Sequence, residues 1–216
     1  MLILSFLFVV LFLYIWTKDV YGEALAGYHS FQTQGGFKVV FFYFLIREFI
    51  FFFGIFWFLF DVSLVPSRDL GEIWVPYGIE AINPFGVPLL NSFVLLSRAV
   101  TLTWAHYNFM EGRATNLSIA ITIVLGLIFL AIQLTEYKSI SFSFRDGAYG
   151  SIFYILTGFH GTHVLLGVLF LVHNWLRMQY SFYRLERSLS FQFSILYWHF
   201  VDGVWLFLYL TLYLWS

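Results

Sequence analysis

His199 and Asp202, three residues apart in Tyr197-Trp198-His199-Phe200-Val201-Asp202-Gly203, interrupt an otherwise aromatic and aliphatic run. An aspartate at the centre of a membrane helix costs roughly 2.5–3.5 kcal/mol on insertion scales, so it implies a partner or a purpose. On a helix the two side chains share a face, and each is expected to satisfy the other. Glu48 stands in the middle of a phenylalanine-rich run. It reads as a proton-relay carboxyl, or else as a neutral acid bonded to a neighbouring helix or ion-paired with Arg98. Arg47 adjoins it but points about 100° away along a helix, so it is not its automatic partner. His160 and His163 fall at i and i+3, and with His106, His173 and His199 they invite haem or copper ligation. His106 and His199 lie near helix ends while His160 and His163 lie at mid-span. That mismatch of depth favours imidazoles bonded within a bundle, with no metal site. Arg98, about two turns into its segment, is expected to snorkel to Asp61 or another loop carboxylate.

These groups need helices to hold them. The chain has 216 residues, of which 61% are hydrophobic, 24% aromatic and only 11% charged, with a mean hydropathy of +0.83. An ordinary soluble domain carries about one-quarter charged residues, so this composition reads as an integral membrane protein. Inside lipid every backbone polar group must be satisfied within its own segment, which leaves helices. Six apolar stretches separate at 2–16, 37–60, 91–110, 117–135, 148–176 and 191–215. They predict an all-α, polytopic bundle of six transmembrane helices forming a single domain over 1–216. The first run lacks a basic start and a small-residue cleavage site, so it reads as a membrane helix and not as a signal peptide. All four prolines lie in the 61–90 connector, the longest, which is expected to cap one membrane face.

The net charge of −1 and the lack of a Lys/Arg cluster give no reason to expect nucleic acid as a partner. No cysteine is present, which excludes disulfides, thiolate metal sites, iron–sulfur clusters and a cysteine nucleophile. Lys18, Lys38, Arg113, Arg177, Arg184 and Arg187 fall on one side of the predicted spans, and Arg68, Lys138 and Arg145 on the other. The positive-inside rule then puts both termini and the proline-rich loop on the outer side. Trp16, Lys18, His29, Trp104, His106, Trp175, Arg177 and Trp198 cluster toward the basic side, as an interfacial belt with lipid phosphate contacts would. On the 148–176 segment, Gly150 and Gly161 share a stripe with Thr157, and His160, His163 and Gly167 share another, as close-packed helix faces require.

Several of these runs, in order, resemble one family. They are Glu48-Phe49-Ile50-Phe51-Phe52-Phe53, Leu70-Gly71-Glu72-Ile73-Trp74-Val75-Pro76, Asn83-Pro84-Phe85-Gly86-Val87-Pro88-Leu89-Leu90-Asn91, Trp104-Ala105-His106, Met110-Glu111-Gly112, Asp146-Gly147-Ala148-Tyr149-Gly150-Ser151, 157–167 and 197–209. On them the chain is similar to subunit III of the aa3-type cytochrome c oxidases. The resemblance implies a seven-helix fold lacking here its first helix, and a subunit with no catalytic residue and no metal of its own. It implies haem a and copper in partner subunits, subunit I as the main contact, and structural phospholipids. The family's carbodiimide-reactive glutamate falls on Glu48, with a role in proton uptake. Lipid contacts fall on Trp16, His29 and Lys38 through Gly27-Tyr28-His29 and Gly36-Phe37-Lys38. Arg98, His160, His163, His199 and Asp202 are structural polar groups in the membrane. Arg98-Ala99 stands where the family has a small Ser-Gly pair, which implies altered packing or an added ion pair. The implied place is the mitochondrial inner membrane, with both termini toward the intermembrane space. Two readings from other classes stand beside it: a haem-binding electron carrier using the histidines, and a proton-coupled transporter built on Glu48.

Overall fold

A computed structural model describes residues 2–66, 71–179 and 189–215, and all regular structure in them is helical. The helices are α1 Leu2–Leu25, α2 Phe31–Leu64, α3 Val87–Met110, α4 Asn116–Ser139, α5 Gly147–Gln179 and α6 Leu189–Leu208, the last running on as a π-helical turn over Tyr209–Leu214. Arg68, Arg184 and Arg187, three of the residues in the orientation count, lie outside the described residues. Among the described residues five helices, α2 to α6, are long and apolar enough to cross a membrane. The 2–16 run continues helical to Leu25, past Lys18, Asp19 and Glu23. The 34 residues of α2 measure roughly 50 Å at 1.5 Å per residue, well beyond a hydrocarbon core of about 30 Å.

The chain divides into two compact units, Met1–Phe44 and Leu45–Ser216. In the first, α1 ends on Gly27 at φ +84°, a left-handed conformation that glycine adopts without strain. There the Tyr28 amide donates to the Glu23 carbonyl at 3.1 Å and the Gly27 amide to the Ala24 carbonyl at 3.3 Å. This 6→1 and 5→2 pattern satisfies two carbonyls that a helix end otherwise leaves bare. Ser30 then caps α2, its Oγ accepting the Thr33 amide at 3.3 Å.

In the second unit α3, α4, α5 and α6 form a closed ring, each packed on the next in sequence and α6 returning to α3. Residues 45–64 of α2 lie against α5 and α6 through aromatic edges: Phe51 on Phe159, Phe52 on Phe200 and Phe56 on Phe207. Hydrogen bonds link the ring's members. The Trp205 indole N–H donates to Ser92 Oγ at 3.1 Å, the Thr101 and Thr122 hydroxyls meet at 2.8 Å, and Gln133 Nε2 donates to the Thr157 carbonyl at 3.2 Å. The proline-rich connector is joined to the bundle by the Tyr209 hydroxyl, which donates to the Pro84 carbonyl at 3.2 Å.

At the ring's centre Arg98 of α3 meets Asp202 of α6, Nη2 to Oδ1 at 2.5 Å, with their side chains 1% and 9% exposed. This corrects two expectations. Asp61 is exposed and does not receive Arg98; the arginine reaches across the ring to α6. Asp202 is not paired with His199 either. It shares a face with Trp198, one turn earlier, and that face turns inward while His199 faces out. Trp198 is itself fully buried and so does not belong to an interfacial belt. Its ring lies under the guanidinium, 4.1 Å from Arg98 Cζ, and its indole N–H donates to the Gly167 carbonyl at 3.2 Å. Cation–π stacking adds to the charge pairing of the desolvated arginine.

Two glycines make room for this stack. A Cβ at Gly167 would lie 2.9 Å from the Trp198 ring, and one at Gly126 of α4 would lie 2.8 Å from Val168 and 3.8 Å from Arg98 Nη1. Gly158, on the same helix as Gly167, faces open space. On the other stripe Thr157 and Gly161 meet Tyr137 and Gln133 of α4 as expected, while Gly150 meets the chain just before α5, at the Ser143 carbonyl.

Gly167→Ala is expected to destabilise the bundle by about 1–3 kcal/mol, the usual cost of overpacking a close-packed site, and Gly158→Ala to leave it near the wild-type value. Thermal denaturation in detergent compares the two, and equal midpoints would contradict the packing. Asp202→Ala leaves a buried guanidinium without its counter-charge and is expected to cost about 3–5 kcal/mol. The double change Arg98→Met with Asp202→Leu is expected to cost less than Asp202→Ala alone, because it removes both charges together.

Candidate functional site

The second polar cluster sits where α2 crosses α5. The buried face of α2 carries Phe52, Phe56 and Leu59, and Glu48, one turn before Phe52, points the same way. Glu48 Oε2 lies 2.9 Å from His163 Nε2, and Glu48 Oε1 accepts from Arg47 Nη2 at 2.8 Å and Nε at 3.3 Å. The neighbour that the 100° helical rotation did not make an automatic partner is therefore one in fact. A long arginine side chain wraps around the helix by more than its Cα–Cβ direction suggests, and Arg98 is already held by Asp202.

The other nitrogen of His163 settles what this pair can hold. Nδ1 lies 2.7 Å from the Phe159 carbonyl, an acceptor with no proton, so Nδ1 carries the hydrogen. The contact between His163 Nε2 and Glu48 Oε2 then contains a single proton, on the imidazole as an ion pair or on the carboxyl as a neutral pair. Phe52 packs edge-on against the imidazole at 5.0 Å and Tyr197 stacks beside it at 6.4 Å, while the Tyr197 hydroxyl donates to the His163 carbonyl at 3.3 Å. The side chains of Glu48 and His163 remain 13% and 11% exposed. The pair is therefore a proton-holding site in an apolar wall, open on one side.

The remaining candidates do not join it. His160 is fully buried between Phe129 and Trp205, with Nε2 donating to the Val201 carbonyl at 3.3 Å. Although His160 and His163 are three residues apart, one imidazole points into the ring and the other toward α2. His199 is exposed and His106 half-buried. Among the described residues no group of three or more His, Asp or Glu side chains is placed to hold a metal ion. In the first unit, Trp16 and Lys38 are exposed, and His29 lies half-buried, edge-on to Phe37 at 5.3 Å.

Glu136 was not among the sequence candidates, because the apolar stretch ends at Thr135 and Glu136 reads as loop. The α4 helix in fact runs to Ser139 and buries Glu136. It lines a cavity of about 280 Å³ with Glu80, Asn83, Pro88 and Phe142, and the Tyr213 hydroxyl lies beside it. The adjoining Tyr137 and Thr157 hydroxyls meet at 2.5 Å. Gln133, three residues before Glu136 within the apolar run, is the signal that could have marked this face of α4 as inward.

Comparison with known proteins bears on these clusters together. The family model for cytochrome c oxidase subunit III matches residues 1–216. The mouse (Mus musculus) cytochrome c oxidase subunit 3 is 44% identical over 219 aligned residues, covering 100% of this chain and 84% of the mouse protein. Its lamprey (Petromyzon marinus) counterpart is 42% identical over 99% of this chain and 83% of its own length, and that of the coelacanth (Latimeria chalumnae) is 40% identical over 100% and 84%. Set on an all-helical membrane scaffold, that full-length match places the chain in the cytochrome c oxidase subunit III family.

Proposed function

We propose that the chain is a non-redox core subunit of cytochrome c oxidase, the complex that passes electrons from cytochrome c to oxygen and moves protons across the membrane. The observation that carries this reading is the full-length family match. In it the whole chain is one membrane domain of the mitochondrial inner membrane, with both termini toward the intermembrane space. Haem a and copper reside in partner subunits, and this chain stabilises subunit I as its main contact. Phospholipid lies against Trp16, His29 and Lys38 of the first unit, an aromatic, an imidazole and a cation suited to a head group and its interfacial surroundings.

Glu48 assists proton uptake. What supports this is the geometry of the single proton shared with His163, beside a cation and open on one side. Such a pair can accept a proton from the open side and return it without moving either helix. With haem a and copper assigned to partner subunits, its contribution is to supply protons.

Epitope-tagged chain is expected to co-purify from detergent-solubilised membranes with the oxidase's haem absorbance and its cytochrome c oxidation. A chain that instead showed its own stoichiometric Soret band, lost on His160→Ala, or that transported protons alone in liposomes, would replace this reading with the carrier or transporter. Glu48→Gln keeps an acceptor and a donor at the site. It is expected to leave the haem spectrum unchanged and slow turnover by less than about threefold, equivalent to about 0.7 kcal/mol. Abolished oxygen reduction would show that Glu48 is required for the chemistry itself.

A further inference from the structure

The cavity beside Glu136 is made by the end of α4 and the connector that leads into α3. It holds about 280 Å³ and is bordered by Glu80, Asn83, Glu136, Ser139 and Ser141. Glu136 is its deep member, only 2% exposed, whereas Glu80 and Ser141 are exposed. The Tyr213 hydroxyl lies beside Glu136, yet neither carboxylate oxygen receives a hydrogen bond of ordinary geometry. Among the described residues no Lys, Arg or His lines the cavity or forms an ion pair with Glu80 or Glu136. Lys138, two residues beyond Glu136, is exposed and does not line it.

Two carboxylates at one opening call for positive charge, because an ionised carboxylate is costly to bury without it. The other oxygens of the lining residues indicate which kind. The Asn83 carbonyl accepts the Gly86 amide at 3.2 Å and Asn83 Oδ1 accepts the Phe85 amide at 3.0 Å, so each keeps a second lone pair. Ser139 Oγ donates to the Glu136 carbonyl at 2.8 Å and keeps its own lone pairs. An all-oxygen lining, with neither imidazole nor thiolate, suits a hard cation and not zinc or copper. Two carboxylates match a divalent charge. Ligands drawn from a helix end and a loop, of unequal burial, do not make the near-ideal octahedron that magnesium demands, whereas calcium accepts about six to eight oxygens in flexible geometry. At roughly 30 Å³ per water the cavity has room for an ion that keeps several waters, so a few protein oxygens suffice.

We infer that this cavity is a calcium site, with Glu136 as the inner carboxylate ligand and Glu80 as the outer one. The ion fastens the proline-rich connector to the end of α4, beside the hydrogen bond from Tyr209 to the Pro84 carbonyl. The site lies wholly within this chain and does not depend on the oxidase reading.

The test is equilibrium dialysis of radioactive calcium against the detergent-solubilised membrane complex that contains the chain, washed first with chelator. Glu136→Gln is expected to lower the calcium bound at saturation by about one ion per chain. Glu80→Gln is expected to weaken the binding of that same ion about tenfold, and Glu80→Lys, which supplies a cation at the opening, to abolish it. Glu111→Gln, an exposed carboxylate at the far end of α3, is expected to leave the wild-type value. Should Glu136→Gln prevent assembly, Glu80→Lys decides alone, because Glu80 is exposed. An unchanged calcium count in either Glu136→Gln or Glu80→Lys overturns the inference and leaves Glu136 as a neutral acid beside Tyr213. Displacement of the ion by an equal concentration of magnesium overturns it as well. A purified complex without oxidase haem overturns the oxidase reading and leaves the calcium count standing.

Discussion

The desolvated charge of Arg98 is the constraint around which the second unit is arranged. A guanidinium this deeply buried demands a carboxylate, and the nearest position able to supply one is Asp202, across the ring on α6. Accepting that carboxylate fixes the rotation of α6, because Asp202 and Trp198 share a face and both must turn inward. The inward indole then needs space, which α4 and α5 provide by having Gly126 and Gly167 at its edges. One ion pair thus dictates the rotation of a helix and the placement of two glycines, and His199 is left on the outer face as a consequence.

The Glu48 cluster is built on a different principle. Arg98 and Asp202 form a sealed pair whose protonation is not free to change without exposing a charge to the core. Glu48 and His163 lie at the edge of the bundle, share one proton and have Arg47 alongside. Association of helices in lipid draws on packing and polar contacts because tails and side chains are equally apolar. The same hydrogen bond that positions α2 against α5 is therefore the bond that holds the shared proton.

Class and architecture were legible because lipid imposes them: long apolar runs have few alternatives to helix. Ends were less so. The expected 117–135 stretch stopped at Thr135, yet α4 includes Glu136, because a helix can carry a carboxylate inward when a cavity and a tyrosine receive it. Pairings were least legible. Spacing put His199 with Asp202 and left the partner of Arg47 open; the structure pairs Asp202 with Arg98 and Arg47 with Glu48. Spacing reports the direction of Cα–Cβ bonds, whereas pairing also depends on side-chain reach and on which face a neighbouring helix covers. Trp198 shows the same limit: tryptophan near a helix end usually marks an interface, but here a guanidinium occupies its ring.

The two arginines of the spans divide the work of the unit between inside and outside. Arg98 takes its counter-charge, Asp202, from within the ring of α3 to α6. Arg47 binds Glu48 from the outer side of α2, its side chain 73% exposed, on a helix whose outer stripe is aromatic and aliphatic. Because Glu48 lies between Arg47 and His163, the guanidinium contributes to the field in which the shared proton sits, a part that the sealed Arg98–Asp202 pair cannot play.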